Sequence, residues 1–347
     1  MKKVHCLAKN ALVQNAAYFV LLVLILSCDN KKTNQKVVAG EITPVAVKSA
    51  QKKDSVFSVS NVKRILSFLA SDSLKGRESG SEGLQKAADF IKDEFYAYGV
   101  APYKKTFLDT FVAHKDTTFN VIGFLSGSDP TLSDEIIIIG AHYDHIGKAK
   151  IVNKDTIANG ANDNASGTTA VLLLANYFAE QKSNKRSILF TLFSAEERGL
   201  LGSKDLAQKL QKENKDIYLM LNFEMIGVPL KNKDYEAYIT GYETSNFAEK
   251  LNEYSNNEKL IGFLPEAKKF NLFKRSDNFP IYEALKIPSQ TISTFDFTNY
   301  PYYHHVDDES SQMDFTFIAG FTRKLIPSIE ALVTTVEKEV KLISNDK

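Results

Sequence analysis

Ile136-Ile137-Ile138-Ile139-Gly140-Ala141-His142-Tyr143-Asp144 sets the architecture of this chain. An unbroken run of β-branched residues cannot alternate between core and water. It implies a strand buried on both faces, as in a parallel or mixed sheet covered by helices. The run ends on His142 and Asp144. In open α/β sheets the ligand crevice lies beyond the carboxyl ends of the strands, so these side chains arrive where chemistry is placed.

Working outward, the loop Gly160-Ala161-Asn162-Asp163-Asn164-Ala165-Ser166-Gly167 leads into Thr168–Ala179, which is apolar almost all round and predicts a helix buried against the sheet. Ser187–Phe193 reads as a second buried strand, ending in Ser194-Ala195-Glu196-Glu197, and Tyr218–Phe223 as a third, ending in Glu224. Upstream, Val62, Ile65, Leu66 and Leu69 recur at helical spacing in Asn61–Ala70, with Ser60 or Asn61 available as cap. A glycine-rich turn over 74–83 fits neither phosphate-loop spacing, and the helix after it is predicted to stop at Gly99. Phe119–Leu125 and Glu135–Gly140 read as strands, and Gly199 opens another helix. Asp277–Leu285 reads as a helix, Pro288–Thr294 as a strand, 295–309 as a loop, and Phe315–Leu342 as one long amphipathic helix. The expected class is α/β, a three-layer sandwich with a central mixed, mostly parallel sheet flanked by helices.

Lys plus Arg number 43 against 42 Asp plus Glu, so no net field attracts nucleic acid. At 347 residues and 44% apolar content the chain can bury one large core, and no repeat or second domain boundary is evident. Lys2, Lys3 and Lys9 precede an apolar run, Phe19–Leu26, too short to span a bilayer and typical of a signal-peptide core. The order Ile25-Leu26-Ser27-Cys28 resembles the lipobox of bacterial lipoproteins. That resemblance implies cleavage before Cys28, acylation of its sulfur, and residence in the cell envelope outside the cytoplasm, on the periplasmic or outer-surface side of a bacterial membrane. Ordinary secretion with an incidental cysteine is the alternative. Cys6 lies in the removed leader on either reading, so no disulfide is expected to hold the fold. The expected organisation is a signal peptide over 1–27, a lipidated cysteine and flexible tether over 28–55, and one domain over 56–347.

His142, Asp163, Glu196, Glu197, Glu224 and His304 each stand at a strand end or in the loop that follows one. Imidazoles with hard oxygen ligands suit zinc, or alternatively cobalt or manganese, and the lack of cysteine excludes a thiolate site. The donors exceed what one open metal site needs and suffice for two cations sharing a bridging carboxylate. Adjacent residues on a strand face opposite ways, so Glu196 and Glu197 can enter one site only where the strand has ended. Buried together without a cation, such acids would repel one another and lose their hydration at high cost.

In chain order, GAHYD, GANDNASG, SAEERGLLGS, NFEMIG and YYHHVDD resemble the co-catalytic di-zinc aminopeptidases of peptidase family M28, relatives of glutamate carboxypeptidase II and the secreted bacterial leucyl aminopeptidases. The likeness runs from the loop near Gly76 to the last helix, and implies the zinc-dependent exopeptidase fold. It further implies His142 and Glu224 on one zinc, Glu197 and His304 on the other, Asp163 bridging both, Glu196 as general base, and Asp144 orienting His142. Tyr303 resembles a phenol that helps hold the oxyanion, and Arg275-Ser276-Asp277-Asn278-Phe279 resembles a wall of the substrate pocket. A cis peptide at Asp163–Asn164 is implied too. Two departures stand out: Glu224 where the family commonly has aspartate, and a second imidazole, His305, beside His304. The implied activity is removal of N-terminal residues from peptides with a free amino terminus. A single-zinc glutaminyl-peptide cyclase shares the fold, but such enzymes show a tryptophan-lined pocket and this chain has no Trp. A non-catalytic peptidase-like binding domain would require lost ligands, and all six positions are filled.

Overall fold

The computed structural model describes residues 55–255 and 258–343. The leader, Cys28 and all but the last residue of the tether lie outside the described residues. In chain order the elements are helices α1 (Val59–Leu69) and α2 (Glu82–Tyr98), then strands β1 (Ala101–Pro102), β2 (Leu108–Ala113), β3 (Asp116–Leu125) and β4 (Ile136–His142). A hairpin of β5 (Lys148–Val152) and β6 (Asp155–Ile157) precedes α3 (Gly167–Gln181), β7 (Ser187–Phe193), α4 (Leu201–Lys212) and β8 (Ile217–Glu224). The remainder comprises β9 (Ala237–Ile239), α5 (Phe247–Tyr254), β10 (Ile261–Gly262), α6 (Pro265–Lys269), α7 (Asn278–Leu285), β11 (Ser289–Ser293), α8 (Phe315–Lys324) and α9 (Ile326–Thr334).

One nine-stranded sheet runs β1-β3-β7-β4-β8-β11-β9-β10, with β2 paired to β3. Its centre, β7-β4-β8-β11, is parallel, whereas β1, β2 and β3 pair antiparallel on one side and β9 pairs antiparallel with β11 on the other. Every residue of β4 is buried. Ile137, Ile139 and Ala141 face the core formed with α1, α2, α3, α8 and α9, while Ile136 and Ile138 face the core under α4 and α7. Each fully buried isoleucine contributes about 1.5–3 kcal/mol, which places this strand at the centre of three layers. The expected fold class is the observed one.

Parallel register brings the ends of the central strands to one edge: His142 pairs with Phe193 and Ser293 with Glu224. Ser58 caps α1, two residues earlier than expected, with its side chain accepting the Asn61 N–H. Gly99 ends α2 in the left-handed conformation, as its position predicts.

The single long C-terminal helix is not formed. Pro327 lacks the N–H and its ring opposes the carbonyl four residues back, so α8 closes at Lys324 and α9 restarts with the proline in its first turn. The chain leaves helix after Thr334, where the buried Arg186 guanidinium donates to the carbonyls of Leu332, Thr335 and Val336. Leu342 then forms an antiparallel bridge with Ser245. Strands β1, β2, β5, β6, β9 and β10 lie outside the expected set; β1, β6, β9 and β10 carry too few residues to show a period. Among the described residues no helix is long and apolar enough to cross a membrane.

Candidate metal centre

His142 closes β4 with its ring 1% exposed. Its Nδ1 lies 3.2 Å from the Asp144 carbonyl and 3.7 Å from Asp144 Oδ1. With Nδ1–H donated there, Nε2 points into the site, at Glu224 Oε1 (3.1 Å) and Asp163 Oδ1 (3.3 Å). The Asp144 carboxylate is mostly spent elsewhere, accepting from Ser79 Oγ at 3.1 Å and from the Glu196 N–H at 3.2 Å. Asp144 therefore orients His142 mainly through its backbone and fixes the Glu196 turn through its side chain.

That turn begins as soon as β7 ends. Ala195 adopts φ 57°, and its N–H donates to Ser79 Oγ at 2.8 Å. The reversal lets both following acids enter one cleft. Glu196 joins His142 and Glu224 in one cluster of donor atoms, and Glu197 joins Asp163, His304 and His145 in another.

Asp163 stands between the clusters, its peptide bond to Asn164 cis. Side chains of its loop stitch it to the end of β8: Asn164 Nδ2 donates to Phe223 O (2.9 Å), Asn164 Oδ1 accepts from Met225 N (3.1 Å), Ser166 Oγ from Ile226 N (2.9 Å) and Asn162 Oδ1 from Gly227 N (2.8 Å). Glu224 is thereby held in register with Asp163, and its Oε2 accepts from Ser276 Oγ at 2.8 Å.

His304 comes from the loop after β11 at φ 53°. Its Nε2 lies 3.3 Å from Asp163 Oδ2 and 3.1 Å from Glu197 Oε2, yet makes no hydrogen bond of acceptable geometry. His305 turns aside, its Nδ1 accepting the Asp307 N–H at 3.1 Å. Tyr303 stacks on the His304 ring with centroids 4.0 Å apart.

These spacings test whether cations fit. Donors around a tetrahedral metal at about 2.0–2.1 Å stand about 3.3 Å apart. The two pairs about His142 Nε2 and the two about His304 Nε2 measure 3.1 and 3.3 Å each. Asp163 sends Oδ1 to one set and Oδ2 to the other, the arrangement of a carboxylate shared by two ions. Nitrogen and oxygen donors of this kind suit zinc and its borderline neighbours.

The acids and imidazoles perturb one another strongly. Burial alone would lower the His304 pKa, but Asp163 and Glu197 push it up to about 10. Burial would likewise lower His142, but Glu224 and Glu196 hold it well above its ordinary value. Asp163 resists burial and lies well below the usual carboxylate range because His145, His142 and His304 surround it. Glu196 goes the other way: burial first, then Glu224, Asp277 and Glu197, raise it well above the usual range against the pull of His142.

A cleft lies over these groups, and Met225, Tyr238, Leu272, Arg275, Phe295 and Tyr303 help to line it. Ser276 lines it as well, so Arg275 and Ser276 of the 275–279 segment border the cleft. From His304 an aromatic ladder climbs outward through Tyr303, Phe295, Phe297 and Phe270, with successive centroids 4.0, 5.6, 4.6 and 5.0 Å apart.

Sequence reasoning missed four groups that build the site. His145 was visible as an imidazole three residues past a strand-end histidine. Asp308 was visible in the acidic pair after His305. Nothing local marks Ser79 or Arg77, whose partners lie far away in sequence. The buried Arg77 guanidinium donates to the carbonyls of Tyr143 (2.8 Å), Asn159 (2.6 Å), Gly160 (3.0 Å) and Leu69, tying both loops that carry the site.

Comparison with known proteins shows what the chain and its fold resemble. The chain is 33% identical over 208 residues to leupeptin-inactivating enzyme 1 of Streptomyces exfoliatus, covering 58% of this chain and 43% of that one. It spans less than two thirds of the length of the curated relatives it matches. The LapA aminopeptidase of Legionella pneumophila shares the fold with a TM-score of 0.64 and 21% identity, over 87% of this chain and 79% of that one. So does the glutaminyl cyclase of Porphyromonas gingivalis, with a TM-score of 0.62 and 16% identity over 80% and 99%. The model of peptidase family M28 matches residues 120–327, more than half of the chain, from within β3 to the start of α9. The chain therefore belongs to peptidase family M28.

Proposed function

We propose that this chain is a zinc-dependent aminopeptidase that removes N-terminal residues from peptides with a free amino terminus. The observation that carries this reading is the split carboxylate of Asp163, with one oxygen toward His142 and the other toward His304. His142 and Glu224 would hold one zinc, Glu197 and His304 the other, with Asp163 common to both. When bound, the two ions supply hydroxide near neutral pH and polarise the scissile carbonyl.

Glu196 does the proton work. Its carboxylate lies with His142 and Glu224 where it can take a proton from the attacking water at one Oε and deliver it to the leaving amine. Burial, with Asp163, Glu197 and Glu196 nearby, holds the Tyr303 phenol above its ordinary value. It stays protonated and can donate from Oη to the developing oxyanion. Glu196 and Glu224 also present acceptor oxygens to a substrate α-amine, which favours cleavage one residue at a time. The aromatic ladder gives the side chain of that residue an apolar wall. A one-zinc cyclase uses the same fold, but here two donor clusters are complete and no tryptophan is present.

The test pairs metal analysis with turnover. Protein purified with zinc should bind two ions per chain and hydrolyse aminoacyl-anilides, and chelation should abolish hydrolysis. Binding of a single ion with pyroglutamate formation from N-terminal glutamine would overturn this reading. The Cys28 anchor in a bacterial envelope belongs to the same proposal, resting on the leader sequence. Incorporation of labelled fatty acid that Cys28→Ser fails to abolish would remove it.

A further inference from the structure

His145 is a third imidazole at this centre, 1% exposed, that the roles above leave unused. Its position is built. The His145 N–H donates to the Arg77 carbonyl at 3.2 Å. The ring lies so close over Gly160, at φ 58°, that a Cβ there would stand 2.6 Å from its Cγ and Cδ2. It meets the ring of His304 edge-on, with centroids 5.5 Å apart.

The distances separate this imidazole from the two proposed ligands. His142 Nε2 and His304 Nε2 each lie 3.1 and 3.3 Å from oxygens of two different acids, aimed at a point between them. His145 Nδ1 lies 3.0 Å from Glu197 Oε1 but 3.7 Å from Asp163 Oδ2. It addresses one oxygen. A carboxylate only accepts, so at 3.0 Å the Nδ1 carries the hydrogen, and Nε2 has no partner among the described side chains. Glu197 is therefore divided: Oε1 takes the His145 hydrogen, and Oε2 faces His304.

We infer that His145 is a positioning residue for the metal site of Glu197 and His304, its Nδ1–H fixing Glu197 so that Oε2 alone is presented to the cation. The inference rests on the two-zinc reading. It predicts that the sites differ in what supports them: Glu224 is steadied by the Ser276 hydroxyl, Glu197 by an imidazole. Losing such a support costs metal affinity by about 10–100-fold without removing a ligand.

Zinc titration of the metal-free protein by calorimetry tests this with His145→Asn, His145→Gln and His145→Ala. An asparagine amide nitrogen can occupy the place of Nδ1, whereas that of glutamine falls near Nε2. Asparagine should keep both dissociation constants near wild type. Glutamine and alanine should still bind two zinc ions, with one constant weakened about 10–100-fold. The thermal midpoint of each metal-free variant separates packing from positioning. Midpoints that fall alike in all three, with zinc constants unchanged, would overturn the inference. So would alanine or glutamine variants that bind only one ion, because His145 would then be a ligand. Should the alanine variant fail to fold, asparagine against glutamine carries the comparison, since both fill the space. Wild-type protein binding fewer than two ions would refute the two-zinc reading and this inference with it, and that result is distinct from a variant effect.

Discussion

The carboxylate of Asp308 underpins Asp163: its Oδ2 accepts the Asp163 N–H at 3.1 Å, and its Oδ1 accepts that of Asn162 at 2.8 Å. Tyr300 donates to the same Oδ1 at 2.6 Å. Asp308→Asn replaces one acceptor with an NH₂ that meets an N–H head on, leaving buried donors unmatched at about 1–3 kcal/mol. Chemical denaturation should show that loss. Zinc affinity should fall about 10–100-fold, because the shared ligand loses its seat. Unchanged zinc affinity would show that the cis Asp163–Asn164 loop holds its place unaided.

Glu196→Gln keeps size and polarity but cannot take a proton. Turnover of aminoacyl-anilides should fall by about 10²–10⁴, while zinc content stays at the wild-type level. Turnover within a few-fold of wild type would assign the proton transfer to another group.

His304→Ala and His305→Ala should part company. The first removes a nitrogen 3.1 Å from Glu197 and 3.3 Å from Asp163, and should cost a zinc ion and activity together. The second removes an imidazole whose Nδ1 serves only its own loop, and should leave zinc stoichiometry unchanged. Metal analysis of the two proteins decides it.

How much of this was legible in the sequence depends on the distance over which each residue is determined. The isoleucine run announces a doubly buried strand because its neighbours alone leave no solvent face, and β4 is that strand. Glu196 and Glu197 announce a turn because a strand cannot aim both inward, and Ala195 makes that turn. Pro327 was legible too, and the long helix was predicted across it only because amphipathic spacing resumes beyond. Arg77 was not legible. Three of its four carbonyl partners lie 66 to 83 residues away, and no local period encodes those.

Burial lowers the Arg77 pKa to about 10, against Asp308, Asp163 and Asp144, so the group remains a cation at neutral pH. Arg77→Met would strip several buried carbonyls of their donor at about 1–3 kcal/mol apiece. Unfolding measurements should show a loss of at least about 3 kcal/mol, and Arg77→Lys, which keeps charge but not the planar fork, should recover only part of it.

Asp277 is fully buried, and neither of its oxygens has a well-formed hydrogen bond. Burial pushes its pKa up to about 7, with Asp144 and Glu224 adding to the shift while His142 and the Ser203 hydroxyl oppose it. In the unfolded chain it would ionise near pH ~4. Between those values the folded chain holds the extra proton, so this group's contribution is complete below about pH 4 and is lost as pH rises to about 7. Metal-free Asp277→Asn should lack that decline and exceed the metal-free parent at pH 8 by on the order of 3 kcal/mol in denaturant titrations. Parallel stability–pH curves for the two would refute the assignment.

The stitches from Asn162, Asn164 and Ser166 to the segment after Phe223 make Asp163 and Glu224 travel as a single rigid piece. An arriving ion would meet a cage whose dimensions were settled when the backbone folded. Exchanging zinc for cobalt or manganese would then alter reactivity while leaving the frame in place, so spectroscopically active ions can stand in for silent ones without remodelling the protein.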